Sequence, residues 1–245
     1  MALLEVQGLS KHFGGLVAND RIDLRVDKGE IVGLIGPNGA GKTTLFNCIA
    51  GFYPPTAGNV QFKGEDITGL PANEICLRGI ARTFQIVRIF KDLSVLDNVM
   101  VGAFSRTNSA ARAKQKALEV LDFCGLAAKK SLLAGGLTIA DKKRLEFTKA
   151  LATDPSLLML DEAIAGLNQT ETAEAVELVK KVRESGITVL LVEHVMEVVM
   201  PISNRVVVLE YGKKIAEDSP EKVIHNEEVI KAYLGDKYHA SRRAH

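Results

Sequence analysis

Short runs of apolar residues recur along the chain, and polar or turn-forming residues separate them. The runs are rich in Leu, Ile and Val, which predicts strands. Several are continuously apolar, as in strands that are buried on both faces of a parallel sheet. The predicted strands are residues 3–9, 21–26, 30–35, 157–162, 188–194 and 205–210.

Amphipathic helices are predicted between these strands. One runs from Lys42 to Gly51, where a glycine ends it, and another from Thr170 to Ser185, after which Gly186 acts as a stop signal. The second helix has an apolar stripe that predicts one buried face, formed by Ala173, Val176, Val179 and Val182. Alternating strands and helices predict an α/β fold with a mainly parallel sheet.

The middle of the chain has a different pattern. Residues 86–154 contain helical stretches, such as SAARAKQKALEVLDFCG, and no convincing strand. The pattern therefore predicts one domain over residues 1–245, with a helical subdomain at 86–154 inserted into an α/β core of 1–85 and 155–219. Residues 220–245 are predicted to form a peripheral helical tail.

Charge and composition narrow the function. Lys and Arg number 31 against 30 Asp and Glu, a formal net charge of +1, so bulk electrostatics gives no support for nucleic-acid binding. No apolar run approaches the roughly 20 residues that span a bilayer, and the first residues lack the basic region of a signal peptide. Cys48, Cys76 and Cys124 are scattered and odd in number, which indicates reduced thiols in the cytoplasm.

The stretch GPNGAGKTT lies between a predicted strand and a predicted helix and fits the phosphate-binding pattern G-x-x-x-x-G-K-[ST]. Glycines let successive backbone N–H groups point at phosphate oxygens, and the following helix presents its positive end to the same anion. A glycine-rich turn without chemical meaning is the alternative, but the flanking elements favour the phosphate site. The predicted nucleotide-binding residues are Gly36, Pro37, Asn38, Gly39, Ala40, Gly41, Lys42, Thr43 and Thr44.

Two side chains of this stretch have specific predicted roles. Lys42 is expected to reach the β- and γ-phosphates of ATP, and the Thr43 hydroxyl to bind Mg²⁺.

Acidic residues end the predicted strand LLMLDE. The carboxyl ends of strands in α/β sheets are where ligands bind, so Asp161 is predicted to hold Mg²⁺, directly or through water. Glu162 is predicted to polarise the attacking water as general base. Two solvated acids at a strand end are the alternative.

His194 follows the predicted strand TVLLVE. A lone histidine in such a place is usually exposed or caps a helix. Its position after a strand that runs parallel to the Asp161 strand is nevertheless compatible with a contact to the γ-phosphate.

Together these motifs resemble the nucleotide-binding subunit of ABC transporters, from about Leu3 to Gly235. The resemblance implies the ABC ATPase fold: a P-loop NTPase core with a mainly parallel sheet, an antiparallel β edge and an inserted helical subdomain. GPNGAGKTT corresponds to its Walker A motif and LLMLDE to its Walker B motif. It implies that Gln85, in ARTFQ, senses Mg²⁺ and the γ-phosphate, and that His194 is the switch histidine.

Two further positions acquire a role from the resemblance. Asn168, at the end of AGLN, occupies the D-loop. Phe13 lies where the family places an aromatic ring that stacks on adenine, although a core or edge phenylalanine is an equal alternative.

Some stretches resemble one branch of the family, the ATPases of branched-chain amino acid uptake systems: KHFGGLVAND, GIARTFQIVRIFKDLSVLDNV and DEAIAGLN. The branch implies ATP and Mg²⁺, a second ATPase subunit (a heterodimer, or alternatively a homodimer), two membrane permeases and, indirectly, an extracytoplasmic binding protein. It implies a peripheral location on the cytoplasmic face of the inner membrane and no nucleic-acid partner. The alternatives are a lipopolysaccharide-export ATPase, a soluble ABC ATPase and a nucleotide-binding regulator with little turnover.

The chain departs from the family at its signature motif, LSGGQ, which in the family contacts ATP held by the opposite subunit. The aligned residues are Leu137-Thr138-Ile139-Ala140-Asp141. Thr138 and Ala140 are the candidate contacts to the partner's ATP, but Ile139 and Ala140 replace glycines that permit close backbone approach, and Asp141 adds negative charge. We expect the site that uses this signature to be weakened. A capping box, in which Thr138 caps a helix and Asp141 reaches back, is the structural alternative.

Overall fold

The computed structural model describes residues 2–234, the last of them by its backbone alone. The chain divides into two compact units, Met1–Leu70 with Leu190–His245, and Pro71–Val189. The strands are β1 Ala2–Phe13, β2 Leu16–Asp27, β3 Ile31–Ile35, β4 Ala57–Phe62, β5 Glu65–Asp66, β6 Ile80–Arg82, β7 Leu157–Asp161, β8 Thr188–Val192, β9 Arg205–Glu210 and β10 Lys213–Asp218.

The described residues also contain nine α-helices. They are α1 Lys42–Ile49, α2 Ala72–Arg78, α3 Val95–Ala103, α4 Ala110–Phe123, α5 Ile139–Leu151, α6 Gln169–Glu184, α7 Met196–Val199, α8 Pro220–Val223 and α9 Glu227–Leu234. Short 3-10 turns lie at Ala127–Lys129 and Ala134–Gly136. No helix within residues 2–234 is long and apolar enough to cross a membrane.

In the first unit, an antiparallel sheet has the strand order β2-β1-β4-β5. β1 pairs with β2 on one side and β4 on the other, and its Leu4 lies opposite Val26 of β2 and Phe62 of β4. These three side chains are buried, because period-2 alternation places them on the inner face of the sheet. The sequence predicted the cores of β1 and β2, while β4 and β5 were not predicted.

The first unit also contains the order β10-β9-β3-β8. All five residues of β3 are buried, as the continuous apolar run predicted. β3 and β9 are parallel, with Val32 opposite Arg205 and Ile35 opposite Val208, and β10 is antiparallel to β9. The division between the units falls within β8.

In the second unit, the strand order is β8-β7-β6. β7 is buried at every position and runs parallel to β6, which is only three residues long and was not predicted. The chain between β6 and β7 contains α3, α4 and α5. These helices pack around one apolar cluster that includes Val95, Val99, Leu121 and Leu145.

The predicted buried stripe of α6 is wrong in part. Val179 and Val182 are buried, but Ala173 is exposed. Residues three apart drift by about 60° around a helix at each step, so a run of four covers half its circumference. Leu178 completes the inner face, next to Val179.

Within the predicted tail, residues 220–234 contain α8 and α9. Residues 235–245 lie outside the described part of the chain.

Candidate active site

The GPNGAGKTT loop follows β3 and leads into α1, the order that a phosphate loop requires. Gly36 has φ +147°, and a Cβ atom placed there would lie 2.1 Å from the Leu209 carbonyl oxygen. Gly41 has φ +97°, and its Cβ would lie 2.4 Å from the Ala18 carbonyl oxygen. No larger residue fits either place, so both glycines are required by the path of the loop.

Lys42 opens α1 and its ammonium group is turned into the loop. Nζ donates hydrogen bonds to the carbonyl oxygens of Gly36, at 2.6 Å, and Pro37, at 2.9 Å, and only 7% of the residue is exposed. Thr43 is exposed and Thr44 is half-buried. The residue before α1, Gly41, makes no side-chain cap of the helix, and an uncapped helix N-terminus can bind an anion through its first amides.

A buried asparagine supports this loop from behind, and the sequence did not reveal it. Asn19 is fully buried on β2 and donates Nδ2 to the Gly41 carbonyl at 3.2 Å. On the same side, the Gly212 amide donates to the Ala40 carbonyl at 3.1 Å. These bonds fix the turn that leads into α1.

Phe13 ends β1 with 42% of its surface exposed, and its ring meets Tyr53 edge to face, with 5.4 Å between the centroids. Lys11 Nζ lies 5.0 Å from the Phe13 centroid. Phe13 is therefore not a core residue, and Tyr53 adds a second ring to the same patch. His194 is exposed in the turn between β8 and α7.

In the second unit, Asp161 ends β7 and forms a buried ion pair with Arg82. Arg82 Nη2 lies 2.8 Å from Asp161 Oδ2, and both side chains are almost fully buried. The Asp161 amide also donates to Thr83 Oγ1 at 3.2 Å. Burial lowers the pKa of the Arg82 guanidinium, and the Asp161 carboxylate opposes that shift. The sequence marked Arg82 only as a charged residue within ARTFQ.

Gln85 and Glu162, which are far apart in sequence, are brought together. Gln85 Nε2 donates to Glu162 Oε2 at 2.9 Å. Glu162 has φ +49°, the left-handed conformation that residues with a Cβ atom rarely adopt. Strained backbone of this kind is often found at functional sites.

The signature residues begin α5. Thr138 caps the helix, because its Oγ1 accepts from the Asp141 amide at 3.1 Å. The Asp141 carboxylate accepts the Thr138 hydroxyl at 3.0 Å and forms an ion pair with Lys129 at 2.5 Å. Lys129 therefore offsets the negative charge that Asp141 brings. Ala140 is half-buried, whereas Ile139 points outward with 69% exposed.

Asn168 has a structural function that the sequence did not indicate. Its side chain accepts from the Glu171 amide, and Glu171 Oε2 accepts from the Asn168 amide, both at 3.0 Å. This is a complete capping box at the start of α6.

Each unit thus assembles part of the predicted site. The first contains the phosphate loop, Phe13 and His194, and the second contains Gln85, Asp161, Glu162, Thr138 and Ala140. The sequence did not reveal three residues that hold this machinery in place: Asn19, Arg82 and Lys129.

Known proteins resemble this chain over most of its length. The ABC transporter family profile matches residues 19–165, and a profile described as branched-chain amino acid ATP-binding cassette transporter matches residues 213–239. The chain is 42% identical to the high-affinity branched-chain amino acid transport ATP-binding protein BraF of Pseudomonas aeruginosa, over 96% of this chain and 98% of that one. It is 43% identical to LivG of Escherichia coli K12, which has the same description, over the same shares.

A more distant relative is the lipopolysaccharide export system ATP-binding protein LptB of Escherichia coli K12, which is 33% identical over 97% of this chain and 99% of that one. Among solved structures, the ADP conformation of MJ1267, an ATP-binding cassette of an ABC transporter, superimposes with a TM-score of 0.88. It is 31% identical, over 96% of this chain and 100% of that chain. The predicted fold is confirmed, and the chain belongs to the ABC transporter family as an ATP-hydrolysing, nucleotide-binding cassette.

Proposed function

We propose that this cassette powers the uptake of branched-chain or related amino acids through separate membrane permeases. The observation that carries the substrate class is the identity of 42–43%, over nearly the full length, to relatives named for branched-chain amino acid transport. The lipopolysaccharide-export relative is 33% identical, which ranks that alternative lower. A regulator without turnover would not need the Gln85–Glu162 pair, which supports hydrolysis.

The chemistry of the side chains fits Mg-ATP. Backbone amides of residues 36–44, together with Lys42, would hold the phosphates, and Phe13 would receive the adenine ring. The Thr43 hydroxyl, the Gln85 amide oxygen and the Asp161 carboxylate are the hard oxygen donors that Mg²⁺ prefers. When bound, Mg²⁺ neutralises charge on the phosphate oxygens. Arg82 balances the negative charge of the Asp161 carboxylate and orients it for this role.

In the proposed reaction, Glu162 accepts a proton from the attacking water, and Gln85 holds the accepting carboxylate. Lys42 leaves the carbonyl oxygens of its own loop and donates to the β- and γ-phosphates. His194 donates to the γ-phosphate. Positioning and charge stabilisation supply most of the rate, as in other phosphoryl transfers.

The proposed assembly contains a second ATPase subunit, most simply an unlike one, and two permeases, with an extracytoplasmic binding protein acting through them. Thr138 and Ala140 would contact the ATP of the second subunit. The cassette would lie on the cytoplasmic face of the inner membrane, and the segment 86–98 would meet a permease. Exposed apolar side chains support this contact, with Ile86 81% and Phe90 49% exposed.

A capture experiment tests the assembly. The tagged Glu162→Gln variant should hold ATP without hydrolysis, so it is recovered from gently solubilised native membranes with Mg-ATP and its partners are identified. The Lys42→Ala variant, which should bind ATP more weakly, is the control. Recovery of two permeases and a second ATPase would support the proposed assembly. Amino acid transport by that complex is then assayed directly. A homodimer with lipid-export partners would move the function to export, and recovery without membrane proteins would refute the transport role.

A further inference from the structure

Lys143, on the second turn of α5, reaches the loop that connects β7 to α6. Its Nζ donates to the carbonyl oxygens of Glu162 at 3.2 Å, Ala163 at 3.3 Å and Ala165 at 2.6 Å. An ammonium group has three N–H donors, so one lysine can serve all three acceptors. The sequence singled out neither Lys143 nor these contacts.

The packing of this loop leaves a cavity of ≈ 40 Å³, lined on the loop by Ala163, Ile164 and Leu167, on α5 by Phe147 and on α6 by Leu178. Ile164 is itself buried, so packing also helps to hold the loop. Side chains that border empty space lose the dispersion contacts that hold a close-packed segment. The three bonds from Lys143 add a polar restraint to this packing.

The loop needs such a restraint because it begins with a strained residue. Glu162 has φ +49°, and a residue with a Cβ atom stays in that conformation only where its surroundings hold it there. Lys143 binds the backbone carbonyl of Glu162, whereas Gln85 binds its carboxylate. The two ends of the residue thus have separate partners.

We propose that Lys143 is a positioning residue for hydrolysis: it holds the backbone of Glu162 in the left-handed conformation that directs the carboxylate. The inference rests on the proposed role of Glu162 as general base. It also links the signature helix α5 to the carboxylate, because Lys143 lies two residues after Asp141 on that helix.

The test compares variants of the full chain in its captured membrane complex. Lys143→Met removes the donors but keeps the aliphatic stem beside the cavity, Lys143→Gln keeps a shorter donor, and Lys143→Arg keeps the charge. Lys180→Met is the matched control, since Lys180 pairs with Glu177 on the exposed side of α6. The readouts are kcat and KM for ATP, the thermal midpoint, and hydrogen exchange of the amides of residues 162–167.

Lys143→Met should lower kcat by about 10- to 100-fold with KM unchanged, because a small displacement of a catalytic group has effects of that size. The kcat of Lys143→Gln should lie between those of Lys143→Met and the wild type. Lys143→Arg should keep most of the wild-type kcat, and Lys180→Met should match the wild type. Exchange at residues 162–167 should quicken most in Lys143→Met and less in Lys143→Gln, and it should not change in Lys180→Met. If Lys143→Met does not fold, kcat, KM and hydrogen exchange of Lys143→Gln and Lys143→Arg test the proposal instead.

Wild-type kcat in Lys143→Met, or a change confined to KM, would overturn the positioning role. An inactive wild-type complex would instead refute the proposed function. Hydrogen exchange still tests Lys143 in that case, because it requires no turnover, and unchanged exchange in Lys143→Met would overturn the restraint itself.

Discussion

Gln85 Nε2 donates a hydrogen bond to Glu162 Oε2 at 2.9 Å, which joins two residues that are 77 positions apart in sequence. The bond occupies one oxygen of the carboxylate and orients the group. If Glu162 is the general base, the bond fixes which oxygen lone pairs face the water, and the two residues should act as one unit.

Substitution of the pair tests this unit. Glu162→Gln should lower kcat by at least about 100-fold while ATP still binds, because general-base catalysis contributes that much. Gln85→Ala should lower kcat by about 10-fold, and the double variant should be no slower than Glu162→Gln. Steady-state ATPase assays and nucleotide titration measure both effects. Glu184→Gln, on the exposed end of α6, is the control. If the double variant loses kcat by the product of the two single losses, Gln85 and Glu162 act independently.

Lys42 should determine nucleotide affinity. Its ammonium group is already withdrawn from water by the Gly36 and Pro37 carbonyls, so transfer to phosphate replaces neutral acceptors with charged ones. We expect Lys42→Ala to weaken ATP binding by about 10- to 100-fold. Titration with a fluorescent ATP analogue measures this, with Lys180→Met as the control. Unchanged affinity of Lys42→Ala for ATP would show that the backbone amides of the loop bind the phosphates without Lys42.

Two glycines of the phosphate loop should differ in their tolerance of alanine. At Gly41 a Cβ atom would lie 2.4 Å from a backbone oxygen, whereas at Gly39, with φ +80°, it would meet nothing within 4 Å. Gly39→Ala should therefore lower the free energy of unfolding by about 1 kcal/mol, and Gly41→Ala by more than about 3 kcal/mol. Urea unfolding of the two variants measures the difference, and equal losses would contradict the loop geometry.

Glu146 should make stability depend on pH. It is buried on α5, where its Oε1 accepts from the Arg88 amide at 2.9 Å, and burial raises the pKa of its carboxyl group. The folded state therefore holds the proton to a higher pH than the unfolded chain does. The wild type should lose stability relative to Glu146→Gln as the pH rises from the ordinary value of 4.5 to the raised pKa, and the difference should level off above it.

Urea unfolding of both proteins across that pH range measures this difference. The exposed Glu184→Gln variant is the control and should show no such pH-dependent gap. Parallel stability curves for the wild type and Glu146→Gln would show that burial does not penalise the charged carboxylate.

The altered signature should make the two ATP sites of the assembly unequal. Lys129 offsets the charge of Asp141, so the expected weakening now depends chiefly on the side chains of Ile139 and Ala140, which hinder close approach of the backbone. In the complex with an unlike partner ATPase, nucleotide trapped by Glu162→Gln should exceed that trapped by the matching variant of the partner. Equal trapping at both sites would contradict the hypothesis.

The sequence by itself predicted the GPNGAGKTT loop and the buried strands. Gly36, Gly41 and Lys42 stand at the spacing of a phosphate-binding loop between a predicted strand and a predicted helix, and continuous apolar runs such as β3 predict burial on both faces. Short elements escaped prediction, because the three residues of β6 carry too little periodicity to be recognised.

Only the tertiary structure decided which charged side chains lie next to which partners. Lys143 contacts the Glu162 loop, Arg82 pairs with Asp161, and Lys129 pairs with Asp141. Such partners are selected by strand order and helix packing, which bring residues from distant positions within hydrogen-bond distance. A local pattern records the backbone conformation that a residue favours, whereas an ion pair depends on where two separate segments end in space.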